Sequence, residues 1–140
     1  MTLTEKALEV FCADRFATQL VGIELVEVGD HTASCILKVT PPLCNARGVA
    51  MGGAVYTLAD FAAAVAANTD CLDSKQLRWV SLGTSIHYLS PARCETTLRA
   101  DCIPVKVGHS TALYQVHISD RASGKLVASA EATMMRLSAD

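Results

Sequence analysis

Apolar residues alternate with small or polar residues along most of the second half of the chain. Between positions 80 and 88 the strand-forming residues alternate with smaller or polar ones, at Val80, Leu82, Thr84, Ile86 and Tyr88. This period of two predicts a β-strand. Glycine-containing turns at Gly108 and Ser123-Gly124 separate further alternating runs. The pattern therefore predicts four strands in succession, at residues 80–88, 97–105, 111–119 and 126–137.

The first half predicts two more strands and two helical regions. Residues 4–20 carry large apolar residues at mixed helical spacing behind Thr4, which predicts one or two short helices with Thr4 as the cap. Two apolar runs at residues 23–28 and 31–39 flank Gly29-Asp30, which is typical of a hairpin. After a loop, a long helix is predicted over residues 52–68.

This long helix is apolar on both sides. One side of a helical wheel holds Val55, Leu58, Ala62 and Val65, and the other holds Gly53, Tyr56, Asp60, Ala63 and Ala67. A single sheet covers only one side of such a helix, so a second copy of the chain is the simple candidate to cover the other. About six strands and one long central helix indicate an α+β fold, expected to form a single domain over residues 1–140.

Composition and charge exclude several classes of protein. The 12 basic and 14 acidic residues give a net charge of −2, which offers no electrostatic footprint for nucleic acid. The apolar run at residues 48–69 is mostly alanine and glycine with Asp60 near its centre, which argues against a membrane span. The N-terminus lacks the pattern of a signal peptide, so we expect a cytoplasmic protein that binds neither nucleic acid nor a membrane.

The six cysteines are spread along the chain without a Cys-x-x-Cys pair. Without an export signal, reduced thiols are favoured over a disulfide framework. The four histidines do not cluster with the cysteines, so we expect no metal site.

Asp60 is the only charged residue between Gly48 and Thr69. A carboxylate buried among apolar side chains costs several kcal/mol unless it is paired or hydrogen-bonded. Two interpretations remain open: Asp60 forms an ion pair with a residue distant in sequence, or it is a working group with a raised pKa.

Four segments in this order resemble the hotdog-fold acyl-CoA thioesterases of the PaaI-like type. The likeness extends from about Phe16 to Met135. The segments are Asn45-x-x-Gly48-x-x-Met51-Gly52-Gly53-x-x-x-x-Leu58-x-Asp60, Ser81-x-x-x-x-Ile86-x-Tyr88-x-Ser90-Pro91-Ala92, Lys106-Val-Gly108-His109 and Ser123-Gly124-Lys125-Leu126-Val127-Ala128.

The resemblance implies an antiparallel sheet wrapped around the long helix and the hydrolysis of an acyl-CoA thioester. Gly52 would offer its backbone N–H to the thioester carbonyl, and Asp60 would be the general base or nucleophile. Asn45 would orient water or the thioester, and Ser81 would assist the water or the leaving group. No cofactor beyond the coenzyme A thioester substrate is implied. The substrate and coenzyme A would contact Met51, Gly53, Gly83, Tyr88, Ser90, Arg93, Lys106, Gly108, His109 and Ser110.

Helix geometry indicates that the site is shared between two copies of the chain. Gly52 and Asp60 are eight residues apart, which is about 12 Å along a helix, too far to act on one carbonyl carbon. Two antiparallel helices about a twofold axis would bring each Asp60 to the other copy's Gly52. We therefore expect a homodimer, or a dimer of dimers.

Met51 departs from the family pattern, which usually has histidine at this position. A thioether cannot donate a hydrogen bond as imidazole can, but it can close a pocket around an apolar acyl group. We expect Met51 to influence the rate or the choice of acyl group.

Alternative interpretations accompany these roles. Gly52-Gly53 could serve only close helix packing, Asn45 could be a turn residue, and Ser81 could face solvent at the start of a strand. The protein could also be an acyl-CoA-binding module without turnover. A hotdog dehydratase or hydratase ranks last, because that chemistry pairs a histidine with the acid and residues 40–69 contain no histidine.

Overall fold

The computed structural model describes residues 1–138 and contains one six-stranded sheet and two α-helices. A π-helical turn spans Phe16–Val21, and a 3-10 turn spans Pro41–Leu43. The helices and strands are α1 (Leu3–Phe11), β1 (Glu24–Gly29), β2 (Thr32–Lys38), α2 (Gly52–Ala67), β3 (Trp79–Tyr88), β4 (Thr97–Val107), β5 (Thr111–Asp120) and β6 (Leu126–Arg136).

The strands lie in the order β1-β2-β4-β5-β6-β3, and every neighbouring pair is antiparallel. β3 therefore occupies one edge of the sheet although it comes third in the chain. The core fills the space between the sheet and α2, whose Leu58, Ala62 and Val65 are fully buried. The predicted α+β fold, with six strands and one long central helix, is confirmed.

The N-terminal region contains two short helical segments, as the sequence indicates, but the predicted cap is wrong. Thr2 caps α1 in a reciprocal capping box with Glu5. The hydroxyl of Thr4 instead accepts a hydrogen bond from the Val28 N–H at 3.1 Å. Thr4 thus ties α1 to β1 rather than starting the helix.

The second face of α2 differs from the helical-wheel prediction. Ala63 and Ala67 are buried in the core of their own chain. The residues of α2 that remain partly or fully exposed form one line along the helix, here called the open stripe. The open stripe consists of Gly52, Gly53, Tyr56, Thr57, Asp60 and Ala64.

A buried asparagine joins the end of α2 to the start of β3. The Asn68 side chain donates to the carbonyl groups of Ala64 (2.9 Å) and Trp79 (3.2 Å). Its Oδ1 accepts from the Trp79 N–H at 3.0 Å and from the Cys71 thiol at 3.2 Å. This one side chain therefore fixes where the chain re-enters the sheet after the helix.

None of the helices in residues 1–138 is both long enough and apolar enough to cross a membrane.

Replacing Asn68 with alanine is expected to lower the free energy of unfolding by about 2–4 kcal/mol. The variant leaves the buried N–H and carbonyl of Trp79 without the partners they have in the wild type, and each such loss costs about 1–3 kcal/mol. Denaturant unfolding measures the change. Gln76→Ala, at an exposed amide, is the control, and a loss below about 1 kcal/mol in Asn68→Ala would contradict the assigned role.

Candidate active site

The first turn of α2 presents backbone N–H groups toward an open surface. Met51 is the N-cap residue, and its side chain makes no capping hydrogen bond. Its carbonyl accepts from Ala54 and Val55, whereas the N–H groups of Gly52 and Gly53 have no acceptor within residues 1–138. Unpaired N–H groups at a helix start carry partial positive charge. This turn can therefore polarise a carbonyl oxygen.

Tyr88, at the end of β3, packs directly on this turn. Its hydroxyl donates to the Gly52 carbonyl at 2.9 Å, and a Cβ added at Gly52 would lie 3.1 Å from Tyr88 Cζ. A larger residue at position 52 would push the tyrosine ring away. Close packing and an accessible N–H therefore coexist at Gly52, and the two interpretations of this glycine are not exclusive.

Asn45 organises the loop that enters α2. Its Oδ1 accepts from the N–H groups of Arg47 (2.9 Å) and Val49 (3.4 Å), as in an Asx turn. The side-chain amide group donates to no group in the described part of the chain. Asn45 is thus a turn residue whose two amide hydrogens remain available to a ligand.

A cavity of ≈ 350 Å³ lies between the Asn45 loop, the start of α2 and the end of β3. Asn45, Gly52, Tyr88 and Ser90 line it together with apolar residues such as Val55. The Ser90 hydroxyl donates to the Leu126 carbonyl at 2.6 Å, so it holds the loop after β3 against β6. The cavity therefore combines the helix start with a mainly apolar wall.

Asp60 lies two helical turns beyond Gly52 on the open stripe. Burial raises the pKa of its carboxyl above the ordinary value of 3.8, and the like charge of Asp14 raises it further. Among residues 1–138 no cation lies within ion-pair distance of Asp60. The interpretation as a distant ion pair thus finds no support in the geometry, while the raised pKa fits a working group.

Asp14 is a neighbour that the sequence did not identify. It lies 46 positions before Asp60, just ahead of the π-helical turn. Nothing in its local sequence distinguishes it from any other exposed carboxylate. Only the folded structure shows that Asp14 lies close enough to Asp60 to raise its pKa.

A bulge in β3 decides which way Ser81 faces. The register shifts between Ser81 and Gly83, so that Ser81 pairs with the buried Met134. Directly opposed residues share one face of a sheet, and Ser81 therefore lies on the face that carries α2, together with Tyr88. Uninterrupted alternation would have placed these two residues on opposite faces, since they are seven positions apart.

The remaining predicted residues form a second group at the other end of the sheet. The register pairs Ser81 with Met134, Met134 with Ala112 and Ala112 with Val107. The β4–β5 turn is therefore level with the start of β3, and Ser81 at that start is about 23 Å along the strand from Tyr88. This group contains Ser81, Lys106, Gly108, His109 and Ser110, with Gly83 next to it in the bulge.

Two further cavities accompany the predicted coenzyme A contacts. Lys106 and Gly108 line one of ≈ 460 Å³ at the β4–β5 turn. Arg93 lines another, of ≈ 690 Å³, with Asn45 and Arg47. Met51 is 55% exposed at the start of α2. Within one chain the predicted residues thus fall into two groups, with Asp60 between them.

Within residues 1–138, no three histidine, cysteine or acidic residues are grouped so that they could hold a metal ion.

Comparisons with known proteins identify the family of the chain. The profile of the Thioesterase superfamily matches residues 47–127. A putative esterase of Archaeoglobus fulgidus is 30% identical over 122 residues, which covers 87% of this chain and 75% of that protein. Human acyl-coenzyme A thioesterase 13 is 29% identical over 116 residues, covering 83% and 81%.

Solved structures show the same fold. The Escherichia coli PaaI protein of the phenylacetic acid degradation operon has a TM-score of 0.83 and 25% identity, and the match covers 98% of this chain and 97% of that one. A hypothetical thioesterase protein of Streptococcus pneumoniae, solved with coenzyme A, has a TM-score of 0.77 and 25% identity, and the match covers 91% of this chain and 99% of that one.

The six-stranded antiparallel sheet around α2 is a hotdog fold of the PaaI-like type. The chain belongs to the Thioesterase superfamily, and the protein is a thioester hydrolase.

Removing the charge of Asp14 is expected to lower the pKa of Asp60. Asp14→Asn deletes the repulsion that favours the protonated carboxyl, while burial still holds the pKa above 3.8. A ¹³C NMR titration of the Asp60 carboxyl measures the shift. Asp73→Asn is the control, because it removes an equal charge from an exposed carboxylate that is paired with Lys6. An unchanged or higher pKa in Asp14→Asn would show that Asp14 does not act on Asp60.

Proposed function

We propose that the protein hydrolyses an acyl-CoA thioester to a free acid and coenzyme A. The observation that carries the proposal is Asp60, a carboxyl without a cationic partner in the described residues, on the same exposed line of α2 as the free N–H groups at the helix start. The likeness to acyl-coenzyme A thioesterase 13 and to a thioesterase solved with coenzyme A supports this choice of substrate.

In the proposed reaction, the Gly52 N–H donates to the thioester carbonyl oxygen and stabilises the negative charge that develops there. Asp60 removes a proton from water, which attacks the carbonyl carbon, or it attacks the carbon itself and forms an anhydride that water then opens. In both routes the carbon–sulfur bond breaks, and the sulfur leaves as the thiolate of coenzyme A. The free amide hydrogens of Asn45 orient the water or the thioester.

A homodimer would complete the site. β3 is an edge strand, and its Val80 and Leu82 are exposed. If two copies pair their β3 edges antiparallel about a twofold axis, the Tyr88 end of one strand lies beside the Ser81 end of the other. The group of site residues at Tyr88 in one copy then lies beside the group at Ser81 in the other. Asp60 of one copy likewise approaches Gly52 of the other. A dimer of dimers would leave these two sites unchanged.

The same arrangement assigns the coenzyme A contacts. Lys106, Gly108, His109 and Ser110 of one copy would border the cavity lined by Tyr88 and Ser90 of the other. Cationic side chains such as Lys106 and Arg93 suit the phosphate groups of coenzyme A. Met51, exposed at the helix start, would cover the acyl group, with Gly53 and Gly83 leaving room for the substrate.

Asp60→Asn is expected to keep the fold and lose at least about 10²-fold in turnover, because a general base or nucleophile is removed while the shape is retained. Release of free thiol from a panel of acyl-CoA thioesters measures turnover, and circular dichroism checks the fold. Asp73→Asn again serves as the charge control. Near-normal turnover in folded Asp60→Asn would overturn the catalytic assignment.

Mixing two inactive variants tests the shared site. Asp60→Asn and Asn45→Ala place their defects in different halves, so a mixed dimer contains one site with both groups intact. After random exchange of subunits, about a quarter of the wild-type activity should return. Native mass spectrometry verifies the exchange. If mixed dimers form and activity stays at the level of the single variants, Asn45 and Asp60 of the same chain serve one site.

A further inference from the structure

An apolar cavity of ≈ 390 Å³, here called the Phe61 cavity, lies against the side of α2 that carries Phe61. The rings of Phe61 and Phe11 are buried and meet edge to face, with centroids 5.8 Å apart. Ile23 is also buried, whereas Leu8 is 47% exposed and Leu25 is half-buried. The cavity therefore combines a packed apolar floor with an apolar rim that solvent reaches.

Hydrogen bonds fix the walls of this cavity, which belong to α1, the π-helical turn and the start of β1. The Val28 N–H donates to the Thr4 hydroxyl at 3.1 Å and ties α1 to β1. The Ile23 N–H donates to the Ala17 carbonyl at 2.9 Å and holds the π-helical turn against the residue before β1. These contacts are made within one chain, so the fold itself shapes the cavity, as is usual for small-molecule sites.

The few polar residues of the Phe61 cavity offer little to a charged ligand. Cys12, Thr18 and Glu24 complete the lining. The Cys12 thiol and the Thr18 hydroxyl already donate to backbone carbonyl groups, at 3.1 Å and 2.9 Å. The one charged residue of the lining is acidic, whereas Arg93 and Lys106 line the cavities predicted for coenzyme A. The Phe61 cavity is therefore suited to an uncharged apolar group rather than to phosphate.

The cavity lies just beyond the edge of the open stripe that carries Asp60. Asp60 and Phe61 are consecutive in α2, so their side chains point about 100° apart around the helix. Thr57 and Ala64, which are half-buried, lie between these two directions. Around a helix of 10–12 Å diameter the separation is about 10 Å along the surface. A group that starts at Asp60 can thus reach the cavity across Thr57 and Ala64.

The proposed reaction places a carbonyl carbon at the near end of this path. That carbon carries two substituents, the sulfur of coenzyme A and the acyl group, which leave it in different directions. The cationic cavities suit the coenzyme A side, so the acyl group is left to follow the path over Thr57 and Ala64. An acetyl group ends before it reaches the cavity. A ring bonded directly to the carbonyl carbon cannot bend around the helix, whereas a straight chain of several carbons can.

We propose that the Phe61 cavity binds the distal part of a straight, medium-length aliphatic acyl chain. Each methylene group that leaves water for the cavity adds to binding. The contact is distant from the reacting carbon, so it is the same in the ground state and the transition state and acts on KM rather than on kcat. The substrate class named here rests on the proposed function, whereas binding of an apolar chain in the cavity does not.

Kinetics with decanoyl-, acetyl- and benzoyl-CoA test the substrate class. The wild type should show a kcat/KM for decanoyl-CoA at least about tenfold above the other two. Leu8→Trp fills the rim and should raise KM for decanoyl-CoA at least about fivefold, while KM for acetyl-CoA changes by less than about twofold. Leu20→Trp is the matched control, since Leu20 is 77% exposed on the π-helical turn and does not line the cavity. A smaller preference in the wild type, or an equal effect of Leu8→Trp on both substrates, would overturn the proposed substrate class.

Alkylation of Cys12 tests the cavity without any turnover. Cys12 is exposed and lines the cavity, so a bound chain should shield it. Decanamide, a neutral chain that the hydrolase cannot cleave, should slow the reaction of Cys12 with iodoacetamide several-fold in the full-length protein, as followed by peptide mass. Acetamide should not protect Cys12, and the partly exposed Cys44 and Cys94 should react at unchanged rates.

Leu8→Trp should abolish the protection by decanamide, and Leu20→Trp should retain it. Unaltered alkylation of Cys12 in the wild type would overturn the proposal even if acyl-CoA is hydrolysed. Shielding that depends on protein concentration and not on decanamide would also overturn it, because the cavity would then be a contact with a second copy of the chain. If no acyl-CoA is hydrolysed but decanamide protects Cys12, the proposed function fails and the chain-binding cavity stands.

Discussion

The attachment of α2 to β3 at both of its ends determines where Asp60 lies relative to Gly52, Tyr88 and Ser81. The Asn68 side chain holds the end of the helix to Trp79, and the Tyr88 hydroxyl holds its start through the Gly52 carbonyl. Helix and strand therefore run side by side in opposite directions. Asp60, midway along α2, is level with the middle of β3, so Asp60 can approach neither end of the strand within its own chain. The divided arrangement of the site follows from these two contacts.

The strands and the long helix could be predicted because their patterns depend mainly on local spacing. The prediction for α2 differs from the structure at Ala63 and Ala67, which are covered by their own chain. The sequence pattern also could not predict which face of the sheet Ser81 occupies. One bulge reverses the alternation on which a strand prediction depends. Long-range geometry accounts for the differences at α2 and Ser81, whereas the misplaced cap of α1 is a local error of two residues.

The site residues also comprise some that the sequence pattern reveals and others that only the fold brings together. The isolation of Asp60 among apolar residues is visible in the sequence, and the folded chain adds a raised pKa. The contribution of Asp14 depends on which loops meet in space, so no spacing rule anticipates it. Tyr88 shows a third case, because the resemblance predicts a ligand contact and the structure adds a hydrogen bond to the backbone of Gly52.

The cost of burying Asp60 also bears on the proposed dimer. In a single chain its charge is opposed by burial and by Asp14, and no cation offsets them within the described residues. In the antiparallel pair, Asp60 would face the start of the partner's α2, where unpaired N–H groups carry partial positive charge. That charge favours the ionised carboxylate, so assembly would lower the pKa of Asp60 toward its ordinary range. Dimer formation would then also produce the ionised base. The N–H groups that polarise the thioester would stabilise the Asp60 carboxylate that attacks it or activates water.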